Sequence, residues 1–97
     1  ELETLWQQVD PDVDVLITHG PPLGILDTDG MSPEHLGDPA LREMVEHCLP
    51  KIHAFGHIHG GYGMYRGMYR GVLTTFYNVA VCNERYEPVN PVTVVEI

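Results

Sequence analysis

Positive charge is scarce in this sequence. Five lysines and arginines stand against fourteen aspartates and glutamates, leaving a formal net charge of −9. Affinity for a nucleic-acid backbone comes mainly from cationic side chains that displace counterions, so the balance argues against a nucleic-acid partner. Cysteine is rarer still. Cys48 and Cys82 are too few for a disulfide scaffold and share no metal-type spacing, and their apolar surroundings suit buried thiols. No apolar run is long enough to cross a membrane. There is no Asn-x-Ser/Thr sequon and no secretory leader pattern. The expected address is cytoplasmic, without a membrane partner.

Ninety-seven residues, 43% of them apolar, suit one domain at most. A chain this short buries only somewhat more than about 60% of its unfolded surface, so its stability margin is narrow. It opens on Glu1 and not on an initiator methionine, which fits processing, trimming or a fragment.

Residues 52–60 read Ile-His-Ala-Phe-Gly-His-Ile-His-Gly, an apolar strand running into Gly-His-x-His. In extended backbone, side chains two apart share a face, with α-carbons about 6.6 Å apart. An imidazole nitrogen sits about 2.0–2.1 Å from a zinc-like ion, and paired catalytic ions lie about 3.5–4 Å apart. His57 and His59 therefore have the spacing to serve one metal together or one metal each. Residues 14–22, Asp-Val-Leu-Ile-Thr-His-Gly-Pro-Pro, form a second short strand that ends on a histidine, His19. The paired prolines cannot continue a ladder. Functional groups of α/β sheets gather beyond the carboxyl ends of strands, and three histidines at two such ends point to metal binding.

The remaining organisation is coarser. Residues 2–9 carry a weak helical pattern, and 13–18 read as a strand covered on both sides. A long Gly-, Pro- and Asp-rich loop spans 19–37, a length that often borders a site. Its Asp27-Thr28-Asp29-Gly30 lacks the third oxygen ligand of a calcium loop, because Met31 stands there. A helix begins at Asp38-Pro39, with Leu41, Met44, Val45, Cys48 and Leu49 on one stripe, and Pro50 ends it. His35 and His47 read as solvated surface residues, His53 as structural. The tandem Gly-Met-Tyr-Arg at 63–66 and 67–70 reads as a lengthened hairpin tip, with Arg66 and Arg70 as local positive charge for a phosphate. Residues 72–81 read as a strand, 83–90 as a polar turn region and 92–97 as a closing strand. The fold class is α/β.

Thr18-His19-Gly20-Pro21-Pro22 together with Gly56-His57-Ile58-His59 resembles the last two metal-binding motifs of the calcineurin-like metallophosphoesterases. The wording over 14–27, 53–63, 77–82 and 88–91 is similar to the branch of the metallophosphoesterase-domain proteins 1 and 2. The family's earlier motifs, Asp-x-His, Gly-Asp-x-x-Asp and Gly-Asn-His-Asp/Glu, do not occur here. Gly37-Asp38 is superficially like the second, but Pro39 and the helical pattern make Asp38 a cap.

The resemblance implies the C-terminal half of the family's domain, residues 1–97 being one partial domain. Its fold would be the C-terminal part of a four-layer α/β/β/α sandwich. The implied activity is hydrolysis of a small phosphodiester or phosphomonoester by water activated between two divalent ions. His19 and His57 would bind one ion and His59 the other, and no catalytic residue is carried over. Imidazole ligands favour manganese, iron, zinc or nickel over magnesium. The missing N-terminal half, or a second copy, would cover the exposed sheet. The alternative is a free-standing, catalytically inactive module that binds a metal or a partner.

Overall fold

The computed structural model of the protein describes residues 13–80 and 88–95. The helix expected over 2–9, Cys82, and parts of the expected segments 83–90 and 92–97 lie outside them. Four strands and one helix follow in the order β1 (Val15–Ile17), α1 (Pro39–Cys48), β2 (Ile52–Phe55), β3 (Gly63–Tyr69) and β4 (Val72–Asn78). The sheet order is β1-β2-β4-β3. β1, β2 and β4 run parallel, and β3 is antiparallel to β4. Parallel neighbours need a crossover connection, and α1 supplies it between β1 and β2.

The helix has both of the ends its sequence promised. The Asp38 carboxylate accepts from the amides of Ala40 and Leu41 at 2.9 and 3.3 Å, satisfying two of the donors that a helix start leaves open. Leu49 takes a left-handed conformation at the far end, and its N–H reaches the Val45 carbonyl at 2.9 Å. Leu41, Met44, Val45 and Cys48 are the buried face. They pack with Leu16, Ile25, Phe55 and Phe76 into one core between helix and sheet.

Alternation along the strands sorts the two sheet faces. His53 and Phe55 of β2 and Thr74, Phe76 and Asn78 of β4 point inward and are buried. Ile17, Met64, Met68 and Leu73 belong to the other face, where they are exposed. Among the described residues β1 is therefore not covered on both faces, since Ile17 is 77% exposed. Among the described residues there are two layers, one helix on one sheet, and residues 91–95 form no strand.

The tandem repeat is a strand and not a hairpin tip. Seven of its eight residues are β3, and the period of four places Gly63, Tyr65, Gly67 and Tyr69 on the inner side, opposite Asn78, Phe76, Thr74 and Val72. Tyr65 and Tyr69 each lie 6.2 Å from the Phe76 ring. The turn itself is Arg70-Gly71, with φ of 50° and 79°, the two positive values that match the twist of a tight hairpin. Arg70 donates to the His47 carbonyl at 2.9 Å, near the helix C-terminus, where a cation is favoured. It stands at the amino end of β4, whereas the candidate histidines follow the carboxyl ends of β1 and β2.

His53 is fully buried. Its Nε2 lies 2.9 Å from Thr18 Oγ1. The Thr18 hydroxyl donates to the Gly20 carbonyl at 2.8 Å, so it accepts from His53 and Nε2 carries the proton. Nδ1 is buried without a partner. Burial lowers the pKa to about 4, because a charged ring has no water here and a proton on Nδ1 has no acceptor. The unfolded chain binds this proton below about 6.5 and the folded chain only below about 4. Stability is thus present above pH 6.5 and lost as the pH falls toward 4, by up to about 3 kcal/mol from this residue. An NMR titration of the imidazole carbons should find His53 still neutral at pH 5; a midpoint at or above 6 would refute its assignment as a buried neutral ring.

Candidate functional site

Backbone pairing continues past the strand ends and carries the histidines with it. Thr18 N–H donates to the Ala54 carbonyl and Gly56 N–H to the His19 carbonyl, each at 3.1 Å. His19 and His57 thereby leave adjacent parallel strands side by side. Their ring centroids are 4.5 Å apart, with the planes inclined at 38°. Although 37 residues separate them in sequence, they meet as the strand-end argument expects.

His57 stands in a backbone conformation that a non-glycine residue rarely adopts, with φ at 68°. The Ile58 N–H donates to the Gly56 carbonyl at 2.8 Å, closing a three-residue turn around His57. Such a residue costs on the order of 1–3 kcal/mol and is found where the surroundings hold a functional side chain in place. His59 follows at the start of a single 3-10 turn, His59–Gly61, and is half-buried. Among the described residues, no group of three or more His, Cys, Asp or Glu side chains is placed to hold a metal ion. The fold brings His19 and His57 together and does not gather His59 into a three-ligand set.

The pair borders an open cleft of about 490 Å³. Thr18, Gly20 and Asp38 supply its polar lining, and Pro21, Leu36, Leu41 and Ile58 form an apolar wall. Among the described residues no lysine or arginine lines it: Arg66 is on β3, the strand farthest from β1, paired with Thr75, and Arg70 is at the opposite end. The donor chemistry fits a divalent transition ion, since two imidazoles face one open space. Two donors are nevertheless short of the coordination such an ion requires.

Two residues outside the candidate ligand set organise this end of the sheet. Asp27 is 1% exposed and is the hub of the loop. It accepts from Gly24 N–H at 2.8 Å, Gly37 N–H at 3.0 Å and His35 Nδ1 at 2.8 Å. Burial acts to raise its pKa, but the hydrogen bonds from His35, Gly24 and Gly37 prevail and hold it below the ordinary value. His35 is thus tied into the loop instead of being merely solvated. Asp29 is likewise engaged, accepting from Met31 and Ser32 amides. The second residue is Asn78, also 1% exposed, whose amide donates to the Leu26 and Ile58 carbonyls at 3.1 and 2.9 Å. Asp27 lies in a loop without periodicity, and the sequence offered it only within the Asp27-Thr28-Asp29-Gly30 calcium pattern that Met31 excludes. Asn78 did give one: it occupies an inward position of a strand where an apolar side chain is the default.

The loop rests directly on the His-x-His segment. A β-carbon on Gly60 would run into the Asp29 carbonyl oxygen, and one on Gly61 into that of Leu26. Both contacts are with backbone, which has no rotamer to yield. Gly61→Ala should accordingly lower the unfolding free energy by about 1–3 kcal/mol. Urea unfolding of the variant measures it, and an unchanged midpoint would mean that the loop does not seat there.

No family model matches the sequence. Metallophosphoesterase domain-containing protein 1 of Homo sapiens and that of Mus musculus are each 43% identical to this chain over 93 residues, covering 95% of the chain and 27% of the relative. A UPF0046 protein of Caenorhabditis elegans is 43% identical over 84 residues, covering 87% of the chain and 27% of that protein. The chain thus spans about a quarter of the length of the curated relatives it matches. The resemblance carried by residues 18–22 and 56–59 extends over nearly its whole length.

Proposed function

We propose that this chain, a relative of the metallophosphoesterase domain-containing proteins, is the histidine-bearing segment of a metal-dependent phosphoesterase. The observation that supports the reading best is the contact of His19 with His57 at the ends of two parallel strands. In this reading His19 and His57 hold one divalent ion, and His59, two residues on, serves a second. The remaining ligands, carboxylates among them, come from the part of the protein that this segment does not span. Manganese, iron, zinc and nickel suit the imidazole donors.

A bound divalent ion supplies Lewis acidity, neutralising charge on phosphoryl oxygens and easing ionisation of the attacking water. The chain's own residues orient and select. The left-handed turn at His57 aims its ring toward that of His19. The wall formed by Pro21, Leu36, Leu41 and Ile58 receives the organic group of a small phosphoester and keeps water from it.

In the full-length protein supplied with manganese, His19→Ala, His57→Ala and His59→Ala should each reduce hydrolysis of bis-(p-nitrophenyl) phosphate by about 100-fold or more, about 2.7 kcal/mol of transition-state stabilisation. Full activity in all three variants would remove the metal-ligand reading. The 97-residue chain alone should be catalytically silent, because two grouped imidazoles lack the carboxylate that completes a two-ion site. Turnover by it near 1 s⁻¹, within the ordinary enzyme range of about 1–10³ s⁻¹, would overturn this.

The same reading assigns a partner to the outer sheet face. Ile17, Met64, Met68 and Leu73 are exposed there, and proteins seldom leave large contiguous apolar patches in water. The proposed cover is the remainder of the domain, with a second copy taking its place when that is missing. Light scattering of the isolated chain at micromolar concentration should report self-association, and a concentration-independent monomer would refute the proposal.

A further inference from the structure

We infer that Asn78 is a positioning residue for the histidine pair, acting through the backbone of the segment that joins His57 to His59. Asn78 ends β4, where its register partner Phe55 closes β2 one residue before Gly56. The side chain is 1% exposed and fully engaged. One amide N–H donates to the carbonyl of Ile58, the residue between the two histidines, at 2.9 Å. The other donates to the Leu26 carbonyl at 3.1 Å, and Oδ1 accepts from the Ala80 amide at 3.1 Å.

Three features make this an anchor for the site and not only a filled position in the core. The Ile58 carbonyl also accepts from Gly61 N–H at 3.0 Å, so Asn78 fixes the group that starts the 3-10 turn. The neighbouring bond, Ile58 N–H to Gly56 O, is the one that closes the strained turn at His57. Without Asn78 the Ile58 carbonyl would keep only its bond from Gly61, inside the same turn, and nothing from the sheet would hold the Ile58–His59 peptide next to the strained turn at His57. Gly61 is bare where Asn78 approaches: a β-carbon there would lie 2.9 Å from Nδ2. A buried amide with both protons used holds its neighbours in one arrangement, because any other leaves polar groups unpaired away from water.

The inference rests on the reading of the histidines as ligands, and the experiment separates the two. In the full-length protein, Asn78→Asp keeps the shape and the acceptor for Ala80 but removes the paired donors. Freed of metal, the wild type should show a nuclear Overhauser contact between the rings of His19 and His57. The variant should lose it, while the Phe76 ring signals stay in place. Titrated with Zn²⁺ alone, the variant should bind about 10- to 100-fold more weakly, the usual cost of losing a group that orients a ligand. A retained ring contact with Zn²⁺ affinity within twofold of wild type would make Asn78 purely structural and overturn the inference. A wild type that binds no Zn²⁺ but loses the ring contact in the variant would refute the ligand reading and leave the positioning role intact. If the variant does not fold, the wild type still decides. Both Asn78 side-chain protons should then exchange with solvent as slowly as Gly61 N–H, and rapid exchange of either overturns the inference.

Discussion

Three parallel strands stop at one edge of the sheet, and the chemistry of the molecule is set by how their backbone hydrogen bonds are completed beyond that edge. β1 hands over to Thr18 and His19, β2 to Gly56 and His57, and β4 to Val79 and Ala80. The bonds Gly56 to His19 and Val79 to Phe55 extend the ladder by one residue each. A buried amide without a partner is costly, so these bonds leave the histidines little choice of position. Strand pairing brings the two residues side by side, and the turn at His57 completes the ring contact, with no need for attraction between the rings.

The same edge is closed from above by polar groups where apolar ones would be expected. Asn78, Asp27 and His53 are each almost fully buried; the first two bond to backbone of the loop and turn, and His53 bonds to Thr18 through Nε2. An apolar core between α1 and the sheet gives the energy of folding. It carries no information about where a loop of nineteen residues, 19–37, should lie. Asp27 and Asn78 supply that information, since each has only one arrangement in which all of its partners are met, and His53 adds its bond to Thr18. Gly60 and Gly61 make the arrangement possible by letting loop and turn backbone touch.

The local elements were legible because local chemistry decides them. Asp38, Pro39, the stripe of Leu41, Met44, Val45 and Cys48, and Pro50 define a helix without help from the rest of the chain. The strand at Ile52–Phe55 was equally clear. The Gly-Met-Tyr-Arg tandem was not, because glycine at every fourth position imitates a turn. Only the packing of Tyr65 and Tyr69 against Phe76 makes it a strand. The run at 13–18 suggested burial on both sides, a property of a strand's neighbours and not of its residues. His35 looked solvated because its partner, Asp27, is eight residues away with no period relating them.

That His19 and His57 would meet was legible in the sequence because both follow directly on short apolar strands, next to a glycine. That much is written in residues 14–22 and 52–60 themselves. Their side-by-side placement depends on β1 and β2 being parallel neighbours, which the crossover helix makes possible and the sheet register completes. The left-handed turn at His57 and its tie to Asn78 arise only when β4 inserts between β2 and β3. Periodicity, caps and strand ends belong to the sequence, since they act within a few residues. The distance between two imidazoles and the partners of a buried amide belong to the tertiary structure, since they are fixed by segments that meet only when the sheet forms.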